Sequence, residues 1–247
     1  MKYFEERDGK LIFRYNGETV QVEAWGQDSL RVRSRVLGEI SEECSALTEE
    51  VAVHDAVISI QGEDSAEITN GRIKAVLYRQ GWGNALQITF YNEKGEVLLQ
   101  EIPNGGALCL KARYFRSLAG GSFYLKASFQ SNDKEKLYGM GQYQQERMNL
   151  KGCNLELAHR NSQASVPFYV SSLGYGFLWN NPSVGEVHFG TNTTEWEAWS
   201  TDQLDYWITA GERPGDIEKN YTEVTGKSPM MPEYGLGFWQ CKLRYYN

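Results

Sequence analysis

The fold of this chain follows from the stretch Leu137–Asn181, which reads LYGMGQYQQERMNLKGCNLELAHRNSQASVPFYVSSLGYGFLWNN. It contains two apolar runs, Ser165–Ser171 and Tyr175–Trp179, separated by the turn-forming tripeptide Ser172–Gly174. Short apolar runs joined by such a turn predict a β-hairpin. A long polar segment precedes the hairpin, and loops held by rigid strands commonly carry binding side chains. The two glycines of Gly139–Gly141 allow the chain to bend sharply at the start of the stretch.

Alternation of apolar and polar residues extends over most of the chain. Strand-like segments occur from Lys10–Tyr15 to Leu204–Ala210, and turn-forming pairs such as Asn16-Gly17 interrupt them. Helical spacing is convincing only at Ile217–Thr225, which follows a proline and is followed by a glycine. Many short strands with closely spaced turns predict an all-β, mainly antiparallel β-sandwich with one or two short helices.

The strand-like segment Ser29–Val36 places three arginines on one face. Its sequence, SLRVRSRV, alternates so that Arg31, Arg33 and Arg35 lie opposite the apolar residues. Long cationic side chains are mostly exposed in folded proteins. The sequence therefore predicts that this face of the strand is solvated.

Composition excludes several classes of function. The formal net charge is −7, which argues against binding nucleic acid through phosphates and against an anionic membrane surface. The four cysteines are widely spaced and include no CxxC pair, so a zinc site is not indicated. The N-terminal segment has no apolar leader, and no run approaches the length of a membrane span. These features predict a cytoplasmic protein without metal or cofactor, and without nucleic-acid or membrane partners.

Four segments together carry a resemblance to a known family. LYGMGQ at 137–142, VPFY at 166–169 and GYGFLWNN at 174–181 precede PEYGLGFWQCKLR at Pro232–Arg244. This combination resembles glycoside hydrolase family 31, which includes α-glucosidases and α-xylosidases. The resemblance implies a galactose-mutarotase-like β-sandwich over 1–228. It also implies that 229–247 is a linker and the start of a truncated (β/α)8 catalytic barrel.

The resemblance also bears on catalysis. Retaining glycosidases place two carboxyl groups on either side of the scissile bond, and in this family both are aspartates of the barrel. The nucleophile motif, of the form W-x-D-M-N-E, is absent here, and Asp205 lies in a strand-like run without that context. The chain is therefore expected to contain no catalytic residue and to be inactive alone, as the N-terminal domain of a retaining α-xylosidase or α-glucosidase in carbohydrate metabolism. Its expected partners are the missing barrel and, through the parent enzyme, an α-linked oligosaccharide or glycoside.

In family 31 a loop of the sandwich reaches over the mouth of the barrel. The matching segment here is Glu156–Gln163, and the resemblance makes Arg160 and Asn161 candidate substrate-binding residues. Asn161 stands where relatives often have a carboxylate. An asparagine amide both donates and accepts hydrogen bonds, which suits sugar hydroxyls.

The barrel-entry segment supplies three further candidates for substrate binding. A strand is predicted at Leu236–Leu243, and the three candidates alternate on one side of it and of its continuation; they are Gln240, Lys242 and Arg244. Without their barrel neighbours, Phe238 and Trp239 are expected to be poorly covered or packed on the sandwich.

Two alternatives remain open on the residues alone. One is a stand-alone carbohydrate-binding β-sandwich module that binds oligosaccharide through exposed Trp and Tyr side chains. The other is a purely structural or oligomerising domain. A coplanar row of two or three exposed rings would favour sugar binding, because flat aromatic faces stack on sugar C–H groups.

Overall fold

The computed structural model describes residues 2–49, 51, 56–80, 85–108 and 110–239. In this part of the chain antiparallel strands dominate, with one α-helix, α1 (Pro214–Thr225), and one 3-10 helix (Glu233–Leu236). The strands are β1 (Phe4–Arg7), β2 (Lys10–Tyr15), β3 (Glu18–Ala24), β4 (Ser29–Val36), β5 (Val57–Gln61), β6 (Ser65–Asn70), β7 (Ile73–Gln80), β8 (Ala85–Asn92), β9 (Val97–Gln100), β10 (Arg113–Ser117), β11 (Phe123–Gln130), β12 (Leu137–Gln142), β13 (Asn154–Leu157), β14 (Ala164–Ser171), β15 (Tyr175–Trp179), β16 (Gly185–Phe189), β17 (Thr193–Thr201) and β18 (Leu204–Ala210). The predicted all-β class is confirmed.

Three antiparallel sheets build the sandwich. Sheet A has eight strands in the order β1-β2-β3-β4-β18-β15-β14-β12. Sheet B has the order β5-β6-β7-β8-β9, and sheet C has the order β10-β11-β17-β16-β13. A backbone bridge between Glu101 and Phe129 joins sheets B and C. Sheet A therefore faces a second layer made of B and C together.

Aromatic rings fill the core between the two layers. Phe177 and Tyr206 of sheet A stack with ring centroids 5.1 Å apart, and Phe177 also meets Trp196 of sheet C at 5.2 Å. Tyr206 contacts Phe90 of sheet B edge-on at 6.2 Å. Large rings remove much apolar surface from water, so these contacts tie all three sheets to one core.

The predicted hairpin is formed by β14 and β15, and the preceding glycines do produce a bend. Gly139 and Gly141 have φ values of 125° and 87°, and Met140 between them has 70°. The pairing of β12 with β14 shifts register at this point. A Cβ atom on Gly139 would stand 2.7 Å from the Phe168 carbonyl oxygen. Glycine is required here by both the backbone conformation and the close approach of β14.

Helix α1 packs on the outer face of sheet A. It begins at Pro214, slightly before the predicted Ile217, because proline is well suited to the first helical turn. Ile217 and Val224 are buried against the sheet, and the Tyr221 ring stacks on Phe168 with centroids 3.9 Å apart. None of the helices in the described ranges has the length and apolar character needed to cross a membrane.

The prediction of a barrel-entry strand that begins at Leu236 is wrong for residues 236–239. The 3-10 helix Glu233–Leu236 ends where that strand was expected to begin, and the residues from Gln240 onward lie outside the described residues. Phe238 and Trp239 are 91% and 71% exposed, so they are poorly covered, as expected. An extended segment needs a neighbouring strand for its backbone groups, and no strand of sheets A, B or C pairs with this one.

The arginine face of β4 is buried, which corrects the prediction that it is solvated. Arg31 and Arg33 are both 0% exposed. Arg31 donates from Nε and Nη2 to the two carboxylate oxygens of Asp205 on β18, at 3.1 and 2.6 Å. Arg33 pairs with Glu23 and, at 2.9 Å, with Glu42. Buried charges are tolerated when they are paired and hydrogen-bonded.

Residues 41–48, here called the strap, cover this arginine face. Arg33 donates to the Ser41 carbonyl at 2.7 Å, and Arg31 donates to the Glu43 carbonyl at 2.8 Å. The strap contains no helical turn. Arg35 lies beyond the strap, is only half-buried and donates to a carbonyl at 3.0 Å. The strap thus covers and buries Arg31 and Arg33, whereas Arg35, which it does not cover, is only half-buried.

Candidate substrate-binding cleft

A cleft of about 530 Å³ lies at the end of β15. Its lining comes from three segments: residues 157–160 with Ser165 and Pro167, residues 179–184, and residues 45–46 of the strap. Strands β14 and β15 are antiparallel neighbours, so the start of β14 and the end of β15 lie at one edge of sheet A. The cleft therefore places part of the predicted loop Glu156–Gln163 beside segments that are distant in sequence.

The loop closes in a tight turn at its tip. Arg160 and Gln163 exchange two backbone hydrogen bonds, of 3.3 and 3.0 Å. Ser162 has a φ of 66°, in the left-handed region. The turn leaves Asn161 exposed at the tip, where its amide bonds to no group in the described ranges. Its donor and acceptor atoms are therefore free.

Arg160 lines the cleft and is held in place by Glu156. Nε donates to Glu156 Oε2 at 3.0 Å, and Nη2 donates to Oε1. The hydrogen bond from Arg160 lowers the pKa of Glu156 below its ordinary value, and the same bond raises the pKa of Arg160. Both groups are thus charged at neutral pH. Nη1 binds no acceptor in the described part of the chain and is available to an oxygen atom of a ligand.

Side-chain hydrogen bonds fix the base of the loop. The Tyr143 hydroxyl bonds to the Glu156 carbonyl at 2.8 Å and to Ser165 Oγ at 2.9 Å. The Ser165 backbone N–H donates to His159 Nδ1 at 3.2 Å. Burial raises the pKa of Tyr143, so its phenol stays protonated. These contacts reduce the freedom that the loop would lose on binding a ligand.

The opposite wall contains residues that the sequence analysis did not select. Asn180 is buried, accepts from the Ala46 N–H at 2.9 Å and donates to Asp205 Oδ2 at 2.8 Å. Asn181 donates to Thr201 Oγ1 at 3.0 Å. The sequence feature that could have indicated these residues is the Asn-Asn pair directly after the buried strand β15. These amides hold the cleft wall to the strap and to β17–β18.

Trp179 adds an unsatisfied donor to the lining. Its ring is 1% exposed and stacks on Trp196 with centroids 5.5 Å apart. Its indole N–H has no hydrogen-bond partner among the residues that the structure describes. A buried unpaired donor is uncommon, and the residue lies at the boundary between the core and the cleft.

The carboxylates near the cleft are already committed to other contacts. Asp205 is 4% exposed and bonds to Arg31 and Asn180. Burial raises the pKa of Asp205, and its hydrogen bonds with Arg31 act in the opposite direction. Glu156 is paired with Arg160. A retaining glycosidase needs two free carboxyl groups about 5–5.5 Å apart, and the described part of this cleft does not offer such a pair.

The candidate residues at the barrel entry cannot be compared with this geometry. Gln240, Lys242 and Arg244 lie outside the described residues. Their role in substrate binding stays a prediction, as does that of Arg160, which lines the cleft, and of Asn161, which is exposed on the same turn.

Comparison with known proteins assigns the chain to a family. A family model described as the glycosyl hydrolase 31 N-terminal galactose mutarotase-like domain matches residues 19–187. An uncharacterized family 31 glucosidase, ORF2, of Pseudescherichia vulneris is 41% identical over 97% of this chain and 47% of its own length. α-Xylosidase A of Aspergillus niger is 30% identical over 99% of this chain and 35% of its own length.

A solved structure agrees with the family match. The family 31 α-xylosidase from a soil metagenome, in complex with xylose, superposes with a TM-score of 0.91 and 46% identity. The match covers 98% of this chain and 37% of that enzyme. The chain thus spans half or less of the length of the relatives it matches.

Proposed function

Because the chain belongs to glycosyl hydrolase family 31 through its N-terminal galactose mutarotase-like domain, we propose that it is the non-catalytic N-terminal domain of a retaining α-glycosidase. The parent activity would be that of an α-xylosidase or α-glucosidase acting on an α-linked oligosaccharide or glycoside. The names of the two curated relatives and of the solved enzyme support this substrate class.

The observation that carries the proposal is the turn at Arg160–Gln163. It places Arg160, with its free Nη1, in the lining of a cleft, and the exposed Asn161 follows directly in the chain. Glu156 fixes the guanidinium, and Tyr143 fixes the base of the loop. Preorganised donors of this kind suit hydroxyl groups of a sugar that is cleaved elsewhere.

The segment 229–247 is proposed to be the linker and the start of the catalytic barrel. Six large apolar side chains in 230–239 are exposed, at 57% to 94% of their surface; they are Met230, Met231, Tyr234, Leu236, Phe238 and Trp239. A contiguous exposed apolar segment usually marks a surface that another protein element covers. Packing of a barrel on this segment would remove those side chains from water.

Turnover of aryl α-xyloside and aryl α-glucoside tests the proposal. We expect no turnover from this chain alone, and turnover when it is fused to the catalytic barrel of the soil-metagenome α-xylosidase. Preference for one aryl glycoside would identify the sugar. Hydrolysis by the chain alone would refute the assignment as a non-catalytic domain.

Two variants of the fusion test the loop. Arg160→Ala should lower kcat/KM about 10- to 100-fold, because a hydrogen bond from a charged donor contributes roughly 1.5–3 kcal/mol. Asn161→Ala should have a smaller effect, because a neutral hydrogen bond contributes about 0.5–1.5 kcal/mol. Arg116→Ala removes an exposed arginine from sheet C and serves as the matched control. Equal effects of Arg160→Ala and Arg116→Ala would exclude a role of the loop in binding.

The alternative of a stand-alone carbohydrate-binding module has less support. Tyr114 and Tyr124 on the outer face of sheet C are inclined by 68°, so they do not form a flat row. The Arg116 guanidinium lies 4.6 Å from the centroid of the Tyr124 ring and covers one face of it. The cytoplasmic location remains a prediction.

A further inference from the structure

A second cleft lies at the opposite end of β15 from the substrate-binding cleft. It has a volume of about 710 Å³ and is lined by Val97–Gln100, residues 130–135, Leu173, Tyr175 and residues 191–192. At roughly 3.3 Å per residue of strand, Tyr175 and Trp179 are about 13 Å apart. The proposed function makes no use of this site, which is called the Glu135 cleft below.

A buried carboxylate forms its floor. Glu135 is 5% exposed. Its Oε1 accepts hydrogen bonds from Ser171 Oγ at 2.5 Å and from the Tyr175 hydroxyl at 2.7 Å. Burial, more than its charged neighbours, raises the pKa of Tyr175 well above its ordinary value, so the phenol remains a donor.

The second carboxylate oxygen is less well satisfied. Within the described residues, the one contact of Glu135 Oε2 is a long one, of 3.5 Å, with Lys151 Nζ. Each carboxylate oxygen accepts about two hydrogen bonds, so Oε2 retains acceptor capacity at the floor of the cleft. Lys151 nevertheless balances the charge of Glu135, so the floor carries no net charge.

The walls are rigid and chemically mixed. The Ser131 N–H donates to the Asn192 carbonyl at 3.1 Å, and the Lys136 N–H donates to Ser172 Oγ at 2.9 Å. The side chains of Gln130 and Asn192 at the rim bond to no group in the described ranges. Other parts of the wall are aliphatic and come from Val97, Leu98, Leu99 and Leu173.

We propose that the Glu135 cleft binds a neutral polyhydroxyl ligand such as a free sugar or the end of a glycan. A ligand hydroxyl would donate to Glu135 Oε2, and neighbouring hydroxyls would exchange hydrogen bonds with the Gln130 and Asn192 amides. The C–H faces of the sugar would lie on Leu98 and Leu173. A charged ligand would find no net counter-charge, because Lys151 neutralises Glu135 and the exposed Asp133 and Lys134 of the lining carry opposite charges.

Amide NMR titration of the whole chain tests the inference. The probes are methyl α-D-xyloside, maltose and, as a charged comparison, glucose 6-phosphate. We expect saturable shifts at 131–135 and 191–192 with at least one neutral probe, and weaker or no shifts with the phosphate. Absence of saturable shifts at these residues with both neutral probes, or a preference for the phosphate, overturns the proposal.

Variants separate this site from the loop at Arg160. Glu135→Gln should weaken binding at the cleft at least tenfold and leave any shifts at Arg160 and Asn161 unchanged. Glu186→Gln, at an exposed carboxylate of sheet C, is the matched control. Unchanged binding by a folded Glu135→Gln variant refutes the proposal.

A second variant decides the outcome if Glu135→Gln does not fold. Leu173→Trp fills the cleft from its half-buried rim and leaves the floor intact. Loss of the shifts at 131–135 supports the site, and retained binding overturns it. These readings are independent of whether the chain functions in a glycosidase.

Discussion

Replacing Arg31 with methionine removes the cation that neutralises Asp205 inside the protein. The variant loses the bonds from Nε and Nη2 to Asp205, of 3.1 and 2.6 Å, and the bond of 2.8 Å to the Glu43 carbonyl of the strap. Removing one member of a buried ion pair typically costs about 3–5 kcal/mol, because the other charge is left uncompensated. For a chain of this size we expect a melting temperature lower by roughly 6–20 °C.

Chemical denaturation measures the free energy of unfolding. A second variant isolates the contribution of the Arg31–Asp205 ion pair to that free energy. Arg31→Met/Asp205→Leu should regain part of the loss, because apolar replacement of both charges is often nearly neutral. Leucine leaves the Asn180 amide without its acceptor, so we expect the double variant to remain about 1–3 kcal/mol below the native protein.

The loss should also depend on pH. Burial already raises the pKa of Asp205 in the folded protein, and removal of Arg31 raises it further. A carboxyl group whose pKa is higher in the folded than in the unfolded protein binds its proton more tightly in the folded state. The stability that this proton binding contributes is lost as the pH rises. The destabilisation by Arg31→Met should therefore be larger at about pH 7 than at about pH 5.

The matched control is Arg35→Met on the same strand and the same face. Arg35 is only half-buried, and its hydrogen bond is to a carbonyl at the surface. Its replacement should change the free energy of unfolding by no more than about 0.5 kcal/mol. An effect of Arg31→Met as small as that of Arg35→Met would refute the account of a buried, paired face.

Two further predictions concern other parts of the sandwich. Gly139→Ala should lower the free energy of unfolding, measured by denaturation, by roughly 1–3 kcal/mol. The reason is that the alanine Cβ would lie 2.7 Å from a backbone oxygen of β14, at a φ of 125°. Gly152→Ala should have a smaller effect, because Gly152 has a φ of 83° but open space around it. Burial and, to a lesser extent, a hydrogen bond to Glu197 raise the pKa of Tyr124 to about 12. Glu197→Gln should therefore lower the pH midpoint at which the Tyr124 phenolate absorbance appears in an alkaline titration. An unchanged midpoint would contradict the contact between Tyr124 and Glu197.

Much of the fold was predictable because its signals are local. The turn between β14 and β15, the proline at the start of α1 and the glycines around Met140 act through backbone conformation within a few residues. The resemblance also pointed to the loop that contains Arg160 and Asn161, and the role of these residues in binding stays a prediction. The sequence analysis did not predict the pairing of Arg160 with Glu156 or the cleft wall formed by Asn180 and Asn181.

The sequence by itself determined the β-sandwich class and the hairpin of β14 and β15, and its resemblance to a family pointed to the loop that is proposed to bind substrate. Only the tertiary structure decided which faces are buried. Alternation along β4 separates its arginines from its apolar residues, but it does not reveal that the strap covers them. Asp205 is 174 residues from Arg31 in sequence, and the two meet because β18 pairs with β4 in sheet A. Period-two patterns record the sides of a strand, whereas burial depends on the elements that pack against each side.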